Sequence, residues 1–256
     1  MNKIRLLLMP KIKNLIIPKS IYSTERLLIM TFIDGDNLSK LARKSKQLSS
    51  SITTEGSSNA LAKVSSKFFL KHFGRTLLTT LADMWGYQIF TFNHFHADPH
   101  PGNICIQQQK LSFSSSSSVK IGLLDWGQMK SLPKDLHTKF SEMIIAISSR
   151  NSTDIVHKFH TLGIKVSNPK DDYTIEGLAI TLFDTKQDPK YIMSPFNQDA
   201  MIKKNPILSM PPDLFFVVRT VQILRGLTYS LGISDFSLAE KWEPFARKSL
   251  LEGEEL

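Results

Sequence analysis

Residues 94–103 read HFHADPHPGN. They bring His94, His96, Asp98, His100 and Asn103 into one short stretch, and two unrelated chemistries use such a set. Imidazoles and a carboxylate at alternating positions suit a zinc or iron cage, since both metals take nitrogen and oxygen ligands. Alternatively, one carboxylate and one carboxamide, Asp98 and Asn103, face a nucleotide phosphate and its metal. A second carboxylate, Asp125, closes the apolar run IGLLDWG further along the chain.

Two features count against the cage. The run resembles the H-x-H-x-D-H ligands of the metallo-β-lactamase fold, but there the aspartate and last histidine are adjacent. Here Pro99 separates Asp98 from His100. Such a site also needs later ligands on an αβ/βα sandwich, whereas His137, His157 and His160 fall in helical stretches and strands are scarce. The phosphate reading fits better. Protein kinases carry a loop written H-R-D-x-x-x-x-N, followed by a strand ending in D-F-G. His96-Ala97-Asp98 occupies the first slot, Asn103 lies five residues beyond Asp98, and Asp125-Trp126-Gly127 ends the strand. The spacing has a physical reason. The first aspartate faces the incoming hydroxyl, the asparagine turns back toward Mg²⁺, and the second aspartate reaches the same metal from a neighbouring strand.

The surrounding chain must supply the elements that hold these groups. ERLLIMTFIDGD (Glu25–Asp36) is a compact apolar run closed by Asp-Gly, which predicts a buried strand and a turn. NLSKLARKSKQL predicts a short helix with Asn37 as its N-cap, and the Ser-rich stretch Ser49–Asn59 predicts a loop. From Ala60 to Thr91 apolar residues recur at helical spacing, with Gly74 expected to divide two helices. NICIQQQ and VKIGLLDWG predict two short strands around a low-complexity insert, residues 110–118. Helices are then expected from Ser131, as cap, to about Arg150, over Thr153–Leu162, Tyr173–Phe183, Leu214–Leu231 and Leu238–Leu251. The turn-rich SPFNQ and SMPPD separate the last ones.

Charge is unevenly spread. Residues 1–75 carry 14 Lys/Arg against 4 Asp/Glu, while residues 76–256 carry 18 against 19, so the net +9 belongs to the N-terminal part. That part suits phosphates, an anionic membrane or an acidic partner. The opening MNKIRLLLMPKIKNLIIPKS resembles an organelle presequence in having five Lys/Arg and no acid. Pro10, Pro18 and the single arginine Arg5 favour instead an extended segment feeding the first strand. No run of 18 apolar residues occurs, so no membrane-spanning helix of ordinary length is expected. A single cysteine, Cys105, excludes an intramolecular disulfide framework.

FHADPHPGN followed by LLDWG closely resembles the ADCK/UbiB (aarF-domain) family of atypical kinases. IPKSIYSTERLLIMTFIDG looks like that family's strand pair and hinge, and VVRTVQILRGLTYSLGI resembles its C-terminal helices. The resemblance implies an α+β, mainly α fold: a protein-kinase-like C-lobe with a small residual β part and a short β-hairpin. Residues 1–36 would be residual N-lobe strands and hinge, and residues 37–256 the helical C-lobe. It implies Asp98 as the catalytic aspartate and Asn103 and Asp125 as Mg²⁺ ligands. His100 would stand where ordinary kinases keep a phosphate-steadying lysine, and His96 would be a structural loop residue bonded to backbone. Met30–Ile33, with Met30 and Phe32, would meet the adenine of ATP.

By the same resemblance the activity is that of a Mg-ATP-dependent phosphotransferase or ATPase, linked to coenzyme Q or other isoprenoid-lipid metabolism in mitochondria or plastids. A nucleotide is the expected ligand, membrane-lipid or isoprenoid association and a protein partner are open, and no nucleic acid is expected. The family's K-x-G-Q motif and strand lysine are not found in the sequence. The expectation is therefore a truncated C-lobe, weakly active or inactive as it stands, with low affinity for Mg-ATP and an apolar exposed inner face. A non-catalytic kinase-like scaffold is the alternative. No A-P-E stretch follows Asp125, which argues against ordinary phosphorylation of protein substrates.

Overall fold

The computed structural model describes residues 1–40, 60–108, 119–186, 188–191, 197 and 199–254, with the side chains of 60–70, 108, 119 and 253–254 left aside. The Ser-rich loop, the helix beyond residue 40, the insert at 110–118 and most of SPFNQ lie outside the described residues. The chain is α+β, mainly α, as expected. It forms two units, residues 1–80 with 99–128, and residues 81–98 with 129–256.

The first unit opens with α1 (Asn2–Leu8) rather than an extended segment. Ile4 and Leu8, one turn apart, bury the same face, and the Asn2 amide accepts from Ser20 N–H at 2.8 Å. Burying that face outweighs the prolines, which fall outside the helix. A four-stranded sheet follows in the order β1 (Leu15–Ile16), β7 (Val119–Leu123), β6 (Ile104–Gln108), β4 (Asp36–Asn37). β6 and β7 are the two predicted strands, antiparallel, with Ile104 opposite Leu123. β2 (Ser20–Ser23) and β3 (Leu28–Met30) form a separate ribbon.

The buried strand expected over Glu25–Asp36 is corrected here. Only Leu28–Met30 is strand, and Leu28, Ile29 and Met30 are exposed; Ile33 is the residue that goes inside. The ribbon pairs only with itself, so neither face meets a core. Ile33 packs over Gly122, where a Cβ would lie 2.9 Å from its Cδ1, and Gly35 passes so close to the Ile106 carbonyl that only glycine fits. Asn37 caps as predicted, its Oδ1 accepting from Lys40 N–H at 2.8 Å.

The long helix α2 (Ala60–Gly86) runs through Gly74 without a break, contrary to the expected division. One helical glycine costs about 1 kcal/mol, less than is gained by burying Leu77, Leu78, Leu81, Met84 and Trp85. A π-helical turn, Tyr87–Thr91, follows, then β5 (Phe95–His96), which pairs with β8 (Met129–Lys130) in the second unit.

The rest of that unit is helical: α3 (Lys134–Ser149), α4 (Ser152–Thr161), α5 (Asp172–Phe183), α6 (Met201–Lys204), α7 (Pro212–Ser230) and α8 (Leu238–Glu254). A short ribbon of β9 (Lys165–Val166) and β10 (Ile207–Ser209) lies among them. Its core is aromatic. Phe90 stacks on Phe140 at 5.6 Å and meets Trp242 edge-on at 5.8 Å, while Trp242 Nε1 donates to Ala82 O. Ser131 does not cap α3; the helix starts at Lys134 with Pro133 at the cap, and the Ser131 hydroxyl instead bonds His94 Nδ1 at 3.1 Å.

Candidate phosphate-metal site

Asn103 and Asp125 flank two paired strands of the first unit. Asn103 immediately precedes β6, Asp125 stands two residues beyond β7, and the strands are in register at Ile104 and Leu123. Leu124 N–H donates to Asn103 O at 2.8 Å, extending the ladder to the residue before Asp125. Asp125 then adopts φ 50°, a left-handed conformation that L-residues pay to enter. Its Oδ1 accepts from Gly127 N–H at 3.3 Å, and Trp126 Nε1 donates to Leu123 O at 2.9 Å. The D-W-G turn is thus curled over the end of its own strand, with Asp125 exposed. The strained residue is one whose type has a chemical use, which is where strain is commonly kept.

Ahead of Asn103 the loop turns on His100, which receives Gly102 N–H on Nδ1 at 3.0 Å and Asn103 N–H on its carbonyl at 2.8 Å. A Cβ on Gly102 would come within 2.9 Å of that nitrogen, so the small residue is needed for the turn. Met30 ends β3, and Phe32, 87% exposed, follows it. Ile33, next in the chain, ties this segment to β7 through Gly122.

Asp98 belongs to the second unit, and the elements before it are buried and hydrogen-bonded to one another. His96, fully buried, donates its N–H to Gln88 Oε1 at 2.9 Å and accepts from Trp85 Nε1 on its carbonyl at 2.9 Å. Gln88 lies in the π-helical turn and also donates to Met84 O. The His96 ring accepts from Asp98 N–H on Nδ1 at 3.2 Å, the backbone role expected of it. The Asp98 carboxylate meets Arg219 of α7, Nη2 to Oδ1 at 2.7 Å. Sequence reasoning missed Arg219, Trp85 and Gln88; each sits in a stretch that spacing marks only as helix.

The imidazoles do not gather around a cation. His94 is bonded to Ser131, His96 to the Asp98 backbone and His100 to Gly102. Among the described residues no group of three His, Cys, Asp or Glu could hold a metal ion. Asn103 and Asp125 offer a different donor set, one amide and one carboxylate oxygen. Mg²⁺ prefers such hard oxygen ligands and completes its shell with water and phosphate oxygens, so the pair fits that ion.

Fold and loop together define a kinase-like domain of the atypical kind. Residues 2–159 match the model of the ABC1 atypical kinase-like domain, and the chain belongs to that family. This bears out the ADCK/UbiB resemblance. Among relatives, the chain is 23% identical over 171 residues to ACTIVITY OF BC1 COMPLEX KINASE 3, chloroplastic, of Arabidopsis thaliana, covering 64% of this chain and 22% of that one. It is 33% identical over 89 residues to the ABC1 family protein MCP2 homolog of Schizosaccharomyces pombe, covering 34% and 15%. It is 20% identical over 166 residues to a probable serine/threonine-protein kinase of Dictyostelium discoideum, covering 63% and 23%. The matches span only 26% and 36% of two further relatives, from Synechocystis and Clostridium pasteurianum.

Proposed function

We propose that this chain is the magnesium-nucleotide part of an atypical kinase, an ATP-dependent phosphotransferase or ATPase. Asn103 and Asp125 would hold Mg²⁺, Asp98 would face the acceptor hydroxyl or water, and the backbone of Met30 and Phe32 would meet the adenine. The observation that supports this reading is the register that puts Asn103 and Asp125 at the ends of paired strands, with Asp125 held left-handed. When bound, Mg²⁺ neutralises phosphate charge; the protein's own share is to fix the two oxygen donors and to orient the Asp98 carboxylate. The activity is read, from the family resemblance, as linked to coenzyme Q or other isoprenoid-lipid metabolism. An organellar location is supported by relatives named as chloroplastic. No helix among the described residues is long and apolar enough to cross a membrane.

Isothermal titration with ATP, in Mg²⁺ and in EDTA, tests the reading. Binding is expected only with Mg²⁺ and should vanish in Asp125→Ala. Equal heats in all three arms would sink it. A second reading, a non-catalytic kinase-like scaffold, is favoured by one observation: Ile21, Tyr22, Leu28 and Phe32 lie exposed along the β2–β3 segment, an apolar patch of the kind that marks interaction surfaces.

A further inference from the structure

Arg219 lies outside every motif described above. Its guanidinium reaches Asp98 Oδ1 at 2.7 Å across 121 residues of chain. Position 97, where the H-R-D loop carries arginine, is a fully buried alanine. The local sequence therefore offers the loop no arginine at that place, and helix α7 brings one from elsewhere.

α7 is a firm base for that side chain. Leu214, Val217, Val221 and Leu224 bury one face of it. Gln222 donates to Thr181 O at 2.8 Å and Arg225 to Ile180 O at 3.1 Å, pinning the helix to α5. Phe216, one turn before Arg219, lies under Lys130 Nζ at 4.7 Å, and Lys130 pairs with Phe95 across the β5–β8 ribbon. The face of α7 that carries Arg219 is thus registered against the ribbon that leads into Asp98. From the other side, the His96 ring receives the Asp98 N–H. Backbone and carboxylate of Asp98 are each held by a different element.

We propose that Arg219 is the positioning residue for Asp98, holding its carboxylate from α7. The proposal rests on the reading of Asp98 as the catalytic carboxylate. Arg219 would act through Asp98 alone: fixing its side-chain torsions keeps one oxygen toward the acceptor, and misplacement by about 1 Å costs up to about 100-fold in rate. The planar fork suits this task better than the flexible point charge of a lysine.

The test uses the 256-residue chain, with Asp98→Asn, Arg219→Ala, Arg219→Gln and Arg219→Lys variants. Mg-ATP turnover gives kcat and KM, and urea midpoints of the single and double variants give the coupling between the two residues. Asp98→Asn should abolish turnover. Arg219→Ala should lower kcat by roughly 10- to 100-fold with KM for Mg-ATP nearly unchanged, and Arg219→Lys should recover part of the loss. Arg219→Gln keeps much of the stem and serves if the alanine variant does not fold.

Loss of activity in Asp98→Asn with full kcat in every Arg219 variant would overturn this inference and leave the reading of Asp98 intact. A raised KM at unchanged kcat would overturn it too, by making Arg219 a nucleotide ligand. Strictly additive urea midpoints would remove the contact itself. An Asp98→Asn variant as active as the parent would defeat the catalytic reading and this inference with it; if the parent itself turns over no ATP, the urea coupling alone decides, and strict additivity overturns the inference.

Discussion

Asp184 and Asp125 are the same side chain in two unlike regions. Asp184 follows α5 and is fully buried, accepting from Thr185 N–H at 2.8 Å, Ser237 Oγ at 2.9 Å and Ala239 N–H at 3.2 Å, with Arg150 Nη2 at 3.5 Å. Burial pushes its carboxyl above the usual range while these donors pull it back. Arg225, which donates to the Asp184 carbonyl, is itself driven down to about 10 by burial, with the Asp184 charge opposing. The cluster fastens the start of α8 to the end of α5. Asp125, by contrast, is exposed and is set by a left-handed backbone and the Gly127 N–H of its own turn. A buried carboxylate held by protein donors serves as a joint; an exposed one at the end of a strand is open to a ligand.

The strongest way to break this contrast is Asp184→Ala. It strands two backbone N–H groups and the Ser237 hydroxyl and removes the negative charge facing Arg150 and Arg225, at a cost of about 3–5 kcal/mol. Urea unfolding measures it, and a loss below about 1 kcal/mol would mean that the joint does not hold the helices. Next in size is Gly35→Ala in the sheet region. Its new Cβ would lie 2.5 Å from the Ile106 carbonyl oxygen, a backbone atom that cannot rotate away. A loss of about 1–3 kcal/mol is expected from this overpacking. Gly226→Ala in α7 is the control: nothing lies within 4 Å of its Cβ position, so a gain of about 0.5–1 kcal/mol is expected from helix propensity.

A third test moves the helical region by pH alone. His137 donates from Nε2 to Ile89 O at 2.9 Å, and burial holds its imidazole below the ordinary 6.5. The unfolded chain therefore takes up a proton first as pH falls through 6.5, while the folded chain resists. Stability from this group is complete above that value and declines below it. Urea midpoints should drop between about pH 8 and about pH 5, and His137→Gln should flatten that drop. An unchanged slope in the variant would move the acid sensitivity to the carboxylates.

What was legible in the sequence follows from how local each signal is. β6 and β7 announce themselves by apolar runs beside turn residues, and Asn37 by cap chemistry that needs only three neighbours. Asn103 and Asp125 are singled out by spacing, five residues beyond Asp98 and at the head of D-W-G, and the structure puts both at the ends of those strands. Glu25–Asp36 misled, since an apolar run does not say whether anything will cover it; Leu28–Met30 lie exposed and only Ile33 is buried. Gly74 misled because a single glycine is outweighed by tertiary burial along α2. Arg219 was invisible for a different reason. Its meaning lies in a partner 121 residues away, and no local spacing carries that.

The smallest expected effect on stability is the sharpest for the comparison. At φ 50° any L-residue pays to sit where Asp125 sits, and glycine does not. Asp125→Gly relieves that cost but loses the side chain's interactions, the bond from Gly127 N–H among them, and adds freedom to the unfolded chain. The balance should fall between no change and a gain of about 1 kcal/mol in urea unfolding, while Mg²⁺-dependent ATP binding disappears. Asp184→Gly should do the opposite, costing several kcal/mol as Asp184→Ala does. If Asp125→Gly instead destabilises by more than about 1 kcal/mol, the carboxylate is tying the D-W-G turn together. The distinction between a structural and a ligand-facing aspartate would then dissolve at the residue where it matters most.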